Sequence, residues 1–107
     1  MIVKNLVGLA KFSTDKMGKV DVARGETLFV GLNCFEPGLE HSAHAHAGQD
    51  KLYVVLEGEG EVRVGGEAER VSSGDAAFAP AGVVHSIRNT GVGRLVVMAV
   101  LAPPPGK

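Results

Sequence analysis

Short apolar runs, each closed by glycine or proline, make up most of the chain. Residues 27–35 form one such run and end at Glu36-Pro37-Gly38, and residues 52–56 form a second run shortly before Gly58. Residues 59–64 alternate instead, with Val62 and Val64 on one face, which is the pattern of a half-buried strand. The glycine pair at 65–66 suits a two-residue hairpin turn, so residues 67–71 are predicted to return beside the alternating strand. Further strands are predicted at 76–79, 85–89 and 94–101.

This pattern indicates an all-β fold. Fifteen glycines and five prolines are too many for a helical protein of 107 residues, and no stretch shows helical periodicity of useful length. Many short strands joined by turns are typical of an antiparallel sandwich or barrel. The length allows a single domain. We expect an N-terminal arm with strands at 1–26, a barrel core at 27–101 and a proline-rich tail at 102–107.

Charge and composition narrow the range of partners. The formal net charge is −1, and the 11 basic and 12 acidic residues are mixed, so no basic stripe is present to bind nucleic acid. The apolar opening of the chain is interrupted by Lys4 and Lys11, is too short to span a bilayer and lacks the order of a secretory signal. Cys34 is the only cysteine, so no intrachain disulfide can form. These features predict a cytoplasmic protein with no membrane or nucleic-acid partner.

Histidine spacing provides the strongest chemical signal. His44 and His46 are separated by one residue, and alternate residues of a strand point to the same face, so both imidazoles can reach one ion. His85, on a distant predicted strand, offers a third imidazole. Three such ligands leave open positions for water or substrate. Taken alone, the HxH pair is a weak signal, and a solvent-exposed face is its alternative interpretation.

The residues around these histidines resemble the two motifs of the small single-domain cupins. Gly38, five residues, His44, one residue and His46, with Gly58 at the far end, is similar to the first motif. The second motif is matched at every position by Gly74, five residues, Pro80, one residue, Gly82, two residues, His85, three residues and Asn89. The resemblance implies an antiparallel double-stranded β-helix, the jelly-roll barrel of the cupins. It also implies one divalent metal ion (Fe, Mn, Ni, Cu or Zn) on His44, His46 and His85.

A fourth ligand is left open. In cupins this position is usually glutamate, but here the two ways of counting the motif give Asp50 and Lys51. A protonated lysine cannot ligate a cation, so Lys51 would leave a three-histidine site. Asp50 serves if a bulge shifts the strand by one residue, and Gln49 is a weaker candidate. Asn89 is expected to fix a turn by hydrogen bonding rather than to contact the ion.

Other residues near the motifs have less specific interpretations. His41 lies three positions before His44, so in an extended strand it points to the opposite face. It is expected at the rim or surface, and a proton shuttle is its second interpretation. Four large side chains in predicted strands are either plain core or lining of a small-molecule cavity beside the metal: Tyr53, Phe35, Phe78 and Met98.

The resemblance leaves the reaction open, because cupins include dioxygenases, isomerases, lyases and decarboxylases. We expect a metal-dependent enzyme acting on a small organic molecule. A dioxygenase-like reaction is favoured over an isomerase or lyase, because no carboxylate base is evident beside the histidines. The alternative is a non-catalytic module that binds a small ligand. A homodimer is expected by analogy with other small cupins.

Overall fold

The computed structural model describes residues 1–106, and Lys107, the last residue of the predicted tail, lies outside the described residues. Residues 1–106 contain one short 3-10 helix, Leu6–Leu9, and nine strands. The strands are β1 (Gly18–Arg24), β2 (Phe29–Phe35), β3 (Glu40–His44), β4 (Asp50–Glu57), β5 (Glu59–Val64), β6 (Glu67–Ser72), β7 (Ala76–Ala79), β8 (His85–Asn89) and β9 (Leu95–Ala102). No helix in the described part of the chain is long and apolar enough to cross a bilayer.

The nine strands form two antiparallel sheets, which confirms the predicted all-β fold. The first sheet has the order β1-β2-β9-β4-β7, and the second has the order β3-β8-β5-β6. Side chains from both sheets meet in one core, with Phe35 and Tyr53 from the first sheet and Val62 and Ile87 from the second. Each large apolar side chain buried there stabilises the fold by roughly 1.5–3 kcal/mol. The core therefore lies between the sheets, in the interior of the barrel.

Strand alternation divides β9 between two apolar clusters. Leu95 and Val97 point into the main core, whereas Val96 and Met98 belong to a second cluster on the outer face of the first sheet. Residues of the N-terminal segment pack over this outer face. Cys34 lies in the second cluster and is fully buried, and this burial raises the pKa of its thiol. Cys34 thus behaves as a small core hydrophobe.

Two motif residues fix turns. Gly58 has a φ of +90°, and a Cβ at this position would collide with the backbone of Arg94, so glycine is required. The buried Asn89 donates from its amide nitrogen to the carbonyl oxygens of Phe35 and Gly93, at 3.0 and 2.9 Å, and accepts from the Gly91 N–H. As expected, Asn89 holds a turn by hydrogen bonds.

The proline-rich segment packs back onto the barrel. Pro104 is buried, the Gln49 side chain donates to the Pro103 carbonyl at 2.7 Å, and the Arg24 guanidinium donates to the Pro105 carbonyl at 2.6 Å. Ala102 still pairs with Asp50 as the last residue of β9. The part of the tail that the structure describes is therefore fixed against the protein.

Candidate metal centre and adjoining cavity

His44 and His85 are direct cross-strand partners. His44 ends β3, His85 begins β8, and these two strands pair so that the two residues lie opposite each other. Their ring centroids are 4.2 Å apart. The antiparallel pairing thus brings together two imidazoles that are 41 positions apart in the sequence.

Backbone carbonyl groups orient both of these rings. Nδ1 of His44 lies 2.6 Å from the Ser42 carbonyl oxygen, and Nδ1 of His85 lies 2.9 Å from that of Val83. Because a carbonyl oxygen can only accept, Nδ1 donates in each case and Nε2 is left with a free lone pair. Both Nε2 atoms are buried and have no hydrogen-bond partner among residues 1–106. A ring held by its Nδ1–H, with Nε2 directed at the site, is the usual arrangement of a metal-binding histidine.

His46 completes a group of three. It lies two residues beyond the end of β3, and its ring centroid is 4.7 Å from that of His44 and 5.7 Å from that of His85. One ligand nitrogen from each of the three histidines lies within 4.8 Å of the other two. The hydrogen bond from the Gly82 N–H to the His46 carbonyl, at 3.0 Å, ties this loop to the turn before β8. The donor set is therefore three imidazoles, which suits a divalent transition metal.

Burial favours the neutral form of His46 and His85, because it lowers the pKa of both side chains. Neutral histidine is the form that ligates a metal, whereas the protonated ring has no lone pair to offer. The three imidazoles therefore fit a bound divalent cation in ligand type, and the lowered pKa values of His46 and His85 add to this fit.

A bulge in β3 turns His41 inward, contrary to its expected position at the rim. The pairing of β3 with β8 shifts between His41 and His44, so three steps along β3 match only two steps along β8. This extra residue moves His41 to the same face as His44, and their ring centroids are 4.1 Å apart. Burial, followed by the charge of Lys51, lowers the pKa of His41 to about 3. His41 is therefore a neutral interior group.

Asp50 and Gln49 are not brought together with the histidines. The Asp50 carboxylate accepts from the Ala81 N–H at 2.9 Å, and the Gln49 amide donates to the Pro103 carbonyl. Asp50 is exposed, and it is absent from the group of neighbouring ligand atoms. The physical reason is the alternation of side chains along β4. Asp50, the first residue of this strand, points outward, and Lys51, the next residue, points to the interior.

A cavity of about 230 Å³ adjoins the histidines. Its wall includes His41, His46 and Lys51, together with residues of β1 and β2 and the end of the proline segment. Tyr53, Phe35, Phe78 and Met98, the residues considered as lining from the sequence, do not contribute to this wall. Tyr53 and Phe35 lie in the main core, Met98 packs in the outer cluster, and Phe78 is 55% exposed.

Comparison with known proteins agrees with this architecture. A family model described as the cupin domain matches residues 31–101, the part of the chain that contains both histidine-bearing segments. The chain belongs to the cupin family. A crystal structure of a protein from Thermus thermophilus superposes on this cupin with a TM-score of 0.93 and 41% sequence identity, covering 98% of this chain and 100% of that one.

Two named relatives are similar to this cupin over part of their length. An oxalate-binding protein of Thermotoga maritima is 37% identical over 65 residues, which are 61% of this chain and 54% of that protein. A 5-nitrosalicylic acid 1,2-dioxygenase of a Bradyrhizobium species is 37% identical over 79 residues, which are 66% of this chain and 38% of that enzyme. Across four curated relatives, the matched region spans between 38% and 75% of their length.

Lys51 is the cavity residue whose position the sequence interpretation predicted least well. Its side chain is 3% exposed and points from the first sheet into the cavity of this cupin. Burial lowers its pKa to about 8, so it still carries a charge at neutral pH. Its alternation with Tyr53 and Val55, both buried, is a sequence signal that could have located it on the inner face.

Proposed function

We propose that this cupin binds one divalent metal ion on His44, His46 and His85 and acts on a small organic molecule held in the adjoining cavity. One observation carries this proposal. Four buried side-chain polar atoms in residues 1–106 have no hydrogen-bond partner: His41 Nδ1, His44 Nε2, His85 Nε2 and Tyr53 Oη. The three histidines among them are in mutual contact, with ring centroids 4.1 Å apart for His41 and His44 and 4.2 Å apart for His44 and His85. An unpaired buried polar atom costs roughly 1–3 kcal/mol, so three of them on neighbouring rings support a site built for a ligand.

The chain's own residues would have distinct roles. His44, His46 and His85 would hold the ion, and it would supply Lewis acidity or a site for dioxygen or an oxygen ligand. The carbonyl oxygens of Ser42 and Val83 keep Nε2 of His44 and His85 unprotonated and directed at the site. His41, neutral and inward-facing, is placed to exchange a hydrogen bond with a bound molecule.

An oxygen-dependent reaction is the leading form of this proposal. The three-residue group contains no carboxylate, so a general base of the type that isomerases use is not supplied by the ligand set. The similarity to a named salicylate-type dioxygenase supports the same reaction class. An isomerase or lyase reaction would instead have to use His41 or Lys51 as its base.

Ligand binding without chemistry is the second candidate. The relative named as an oxalate-binding protein supports it. The two candidates differ in one measurable way, since an enzyme converts its ligand and a binding module releases it unchanged.

The test uses protein reconstituted in turn with iron, manganese, nickel, copper and zinc. Oxygen consumption with salicylate-type substrates, and product analysis by mass spectrometry, should detect turnover that His44→Ala abolishes. Saturable binding of salicylate or oxalate, with neither oxygen uptake nor product for any metal, would support the binding module instead.

The proposal also includes a cytoplasmic homodimer. Exposed apolar side chains such as Leu28, Val84 and Val92 are available for a subunit contact. Sedimentation velocity at micromolar concentration should show a species of twice the chain mass, and a monomer alone would contradict the dimer.

A further inference from the structure

Lys51 is a buried cation without an acidic partner among residues 1–106. Residues 1–106 form two ion pairs, Arg63–Glu61 and Arg94–Glu36, and neither includes Lys51. Its ammonium nitrogen lies 4.8 Å from the centroid of the Tyr53 ring, which is a weak substitute for an anion. Because a buried charge is costly unless it is paired, an unpaired ammonium in a cavity wall suggests that its partner arrives with the ligand.

The rest of the cavity wall does not supply that partner. Asp21 is the one carboxylate among the lining residues, it is exposed, and it forms no ion pair with Lys51. Lys19 also lines the cavity and adds a second positive charge. The side chains of the wall thus carry two cations and one anion, and a cation held by the histidines would add further positive charge.

Lys51 and the histidines face the same space from opposite sheets. Lys51 is on β4 of the first sheet, between Ala79 and Leu101, and the histidines belong to β3, β8 and the loop after β3. His41 and His46 line the same cavity as Lys51. A molecule in this cavity can therefore contact the ammonium group on one side and the rings of His41 and His46 on the other.

We infer that the cavity binds a small organic carboxylate, whose negative group pairs with the ammonium of Lys51 while the rest of the molecule faces His46. This inference deepens the proposed function and names the substrate class of the same site. The volume of the cavity suits a small molecule, because about 230 Å³ is below the roughly 300–1,000 Å³ of pockets that bind drug-sized ligands. A lysine ammonium has three donors and acts as a compact point charge, which suits one carboxylate.

The experiment measures anion binding by the metal-free protein, so that it does not depend on the metal. Oxalate and salicylate serve as probes, and salicylamide is the neutral counterpart of salicylate. Isothermal titration is done with wild type and with Lys51→Met, Lys51→Gln and Lys51→Arg. Lys16→Met is the matched control, because Lys16 is exposed and does not line the cavity. Circular dichroism verifies that each variant is folded.

We expect saturable binding of at least one carboxylate probe and weaker binding of salicylamide. Both neutral variants should weaken carboxylate binding by about tenfold or more, the loss expected for a charge-assisted hydrogen bond. Lys51→Arg should retain part of the affinity, and Lys16→Met should match wild type.

Folded Lys51→Met and Lys51→Gln proteins that bind the probes as tightly as wild type would overturn the inference, as would no binding of either probe by wild type. Metal binding is measured separately on the same proteins. If wild type binds no metal but binds the carboxylate probes through Lys51, only the proposed metal site is defeated. If wild type binds metal but the neutral Lys51 variants bind the probes as tightly as wild type, only the role of Lys51 is defeated.

Discussion

Replacing Lys51 by methionine should stabilise the protein. Methionine keeps most of the aliphatic stem and removes a charge that is 3% exposed and forms no ion pair within the described part of the chain. Burial lowers the pKa of Lys51 from 10.5 to about 8. Each pKa unit corresponds to about 1.4 kcal/mol, so holding the charge in the folded state costs at most roughly 3–4 kcal/mol. The variant also loses the contact of the ammonium with Tyr53, worth about 1 kcal/mol.

The expected net gain is about 2 kcal/mol in the free energy of unfolding, or a rise in Tm of roughly 8 °C for a domain of this size. It should depend on pH with a definite sign. Below pH 8 the lysine is protonated in both folded and unfolded states, and the whole cost of its burial is present. As pH rises from 8 towards 10.5 the folded state holds the neutral amine, so the advantage of the variant should disappear.

Urea denaturation of metal-free wild type and Lys51→Met, at about pH 7 and about pH 10, measures both effects. Lys16→Met, an exposed substitution, should change the free energy of unfolding by less than about 0.5 kcal/mol. If Lys51→Met is less stable than wild type at neutral pH, or if its gain is the same at both pH values, the buried lysine is not an unpaired charge and the reasoning is refuted.

Four further substitutions test the framework around the site. Gly58→Ala should destabilise the fold by more than about 2 kcal/mol in urea denaturation, because its Cβ would collide with the backbone of Arg94. Gly74→Ala should cost about 1 kcal/mol, because Gly74 has a φ of +95° but open space where the added Cβ would lie. Equal costs for the two variants would contradict this account. Asn89→Ala should lower the free energy of unfolding by about 2–4 kcal/mol through three lost hydrogen bonds, and a loss below about 1 kcal/mol would argue against their importance. Asp50→Ala should lose about 1 kcal/mol with its hydrogen bond to Ala81 while keeping full metal content by mass spectrometry; loss of the metal would instead identify Asp50 as a ligand.

The fold was predictable from the sequence because turns and alternation are local signals. The strands expected at 59–64, 76–79 and 85–89 have the same bounds in the structure, and the glycine pair at 65–66 does join β5 to β6. β1 lies within residues 1–26, where an arm with strands was expected, and Lys19 and Asp21 alternate there with Val20 and Val22. The alternation is a local signal of a strand, but it does not show that Lys19 and Asp21 line the cavity.

The details of the site depended on features that a sequence pattern does not show. One extra residue in β3 moved His41 from the expected outer face to the interior. Tyr53, Phe35, Phe78 and Met98 were considered as cavity lining because they are large side chains in predicted strands. This wall is instead formed mainly by other residues of β1, β2, β4 and β9, among them Lys19, Phe29 and Lys51. Tertiary pairing decides which strands meet at one end of a barrel, and the pattern of a single strand does not contain that information.

The measurement that tests the central claim most directly is the metal content of the protein. Protein produced without a tag or a nickel column is analysed by mass spectrometry as wild type, His85→Ala and Asp50→Ala. The account predicts near-stoichiometric divalent metal in wild type and Asp50→Ala and its loss in His85→Ala. Wild type that stays free of metal after reconstitution with iron, manganese, nickel, copper and zinc, or His85→Ala that retains full metal, would contradict it.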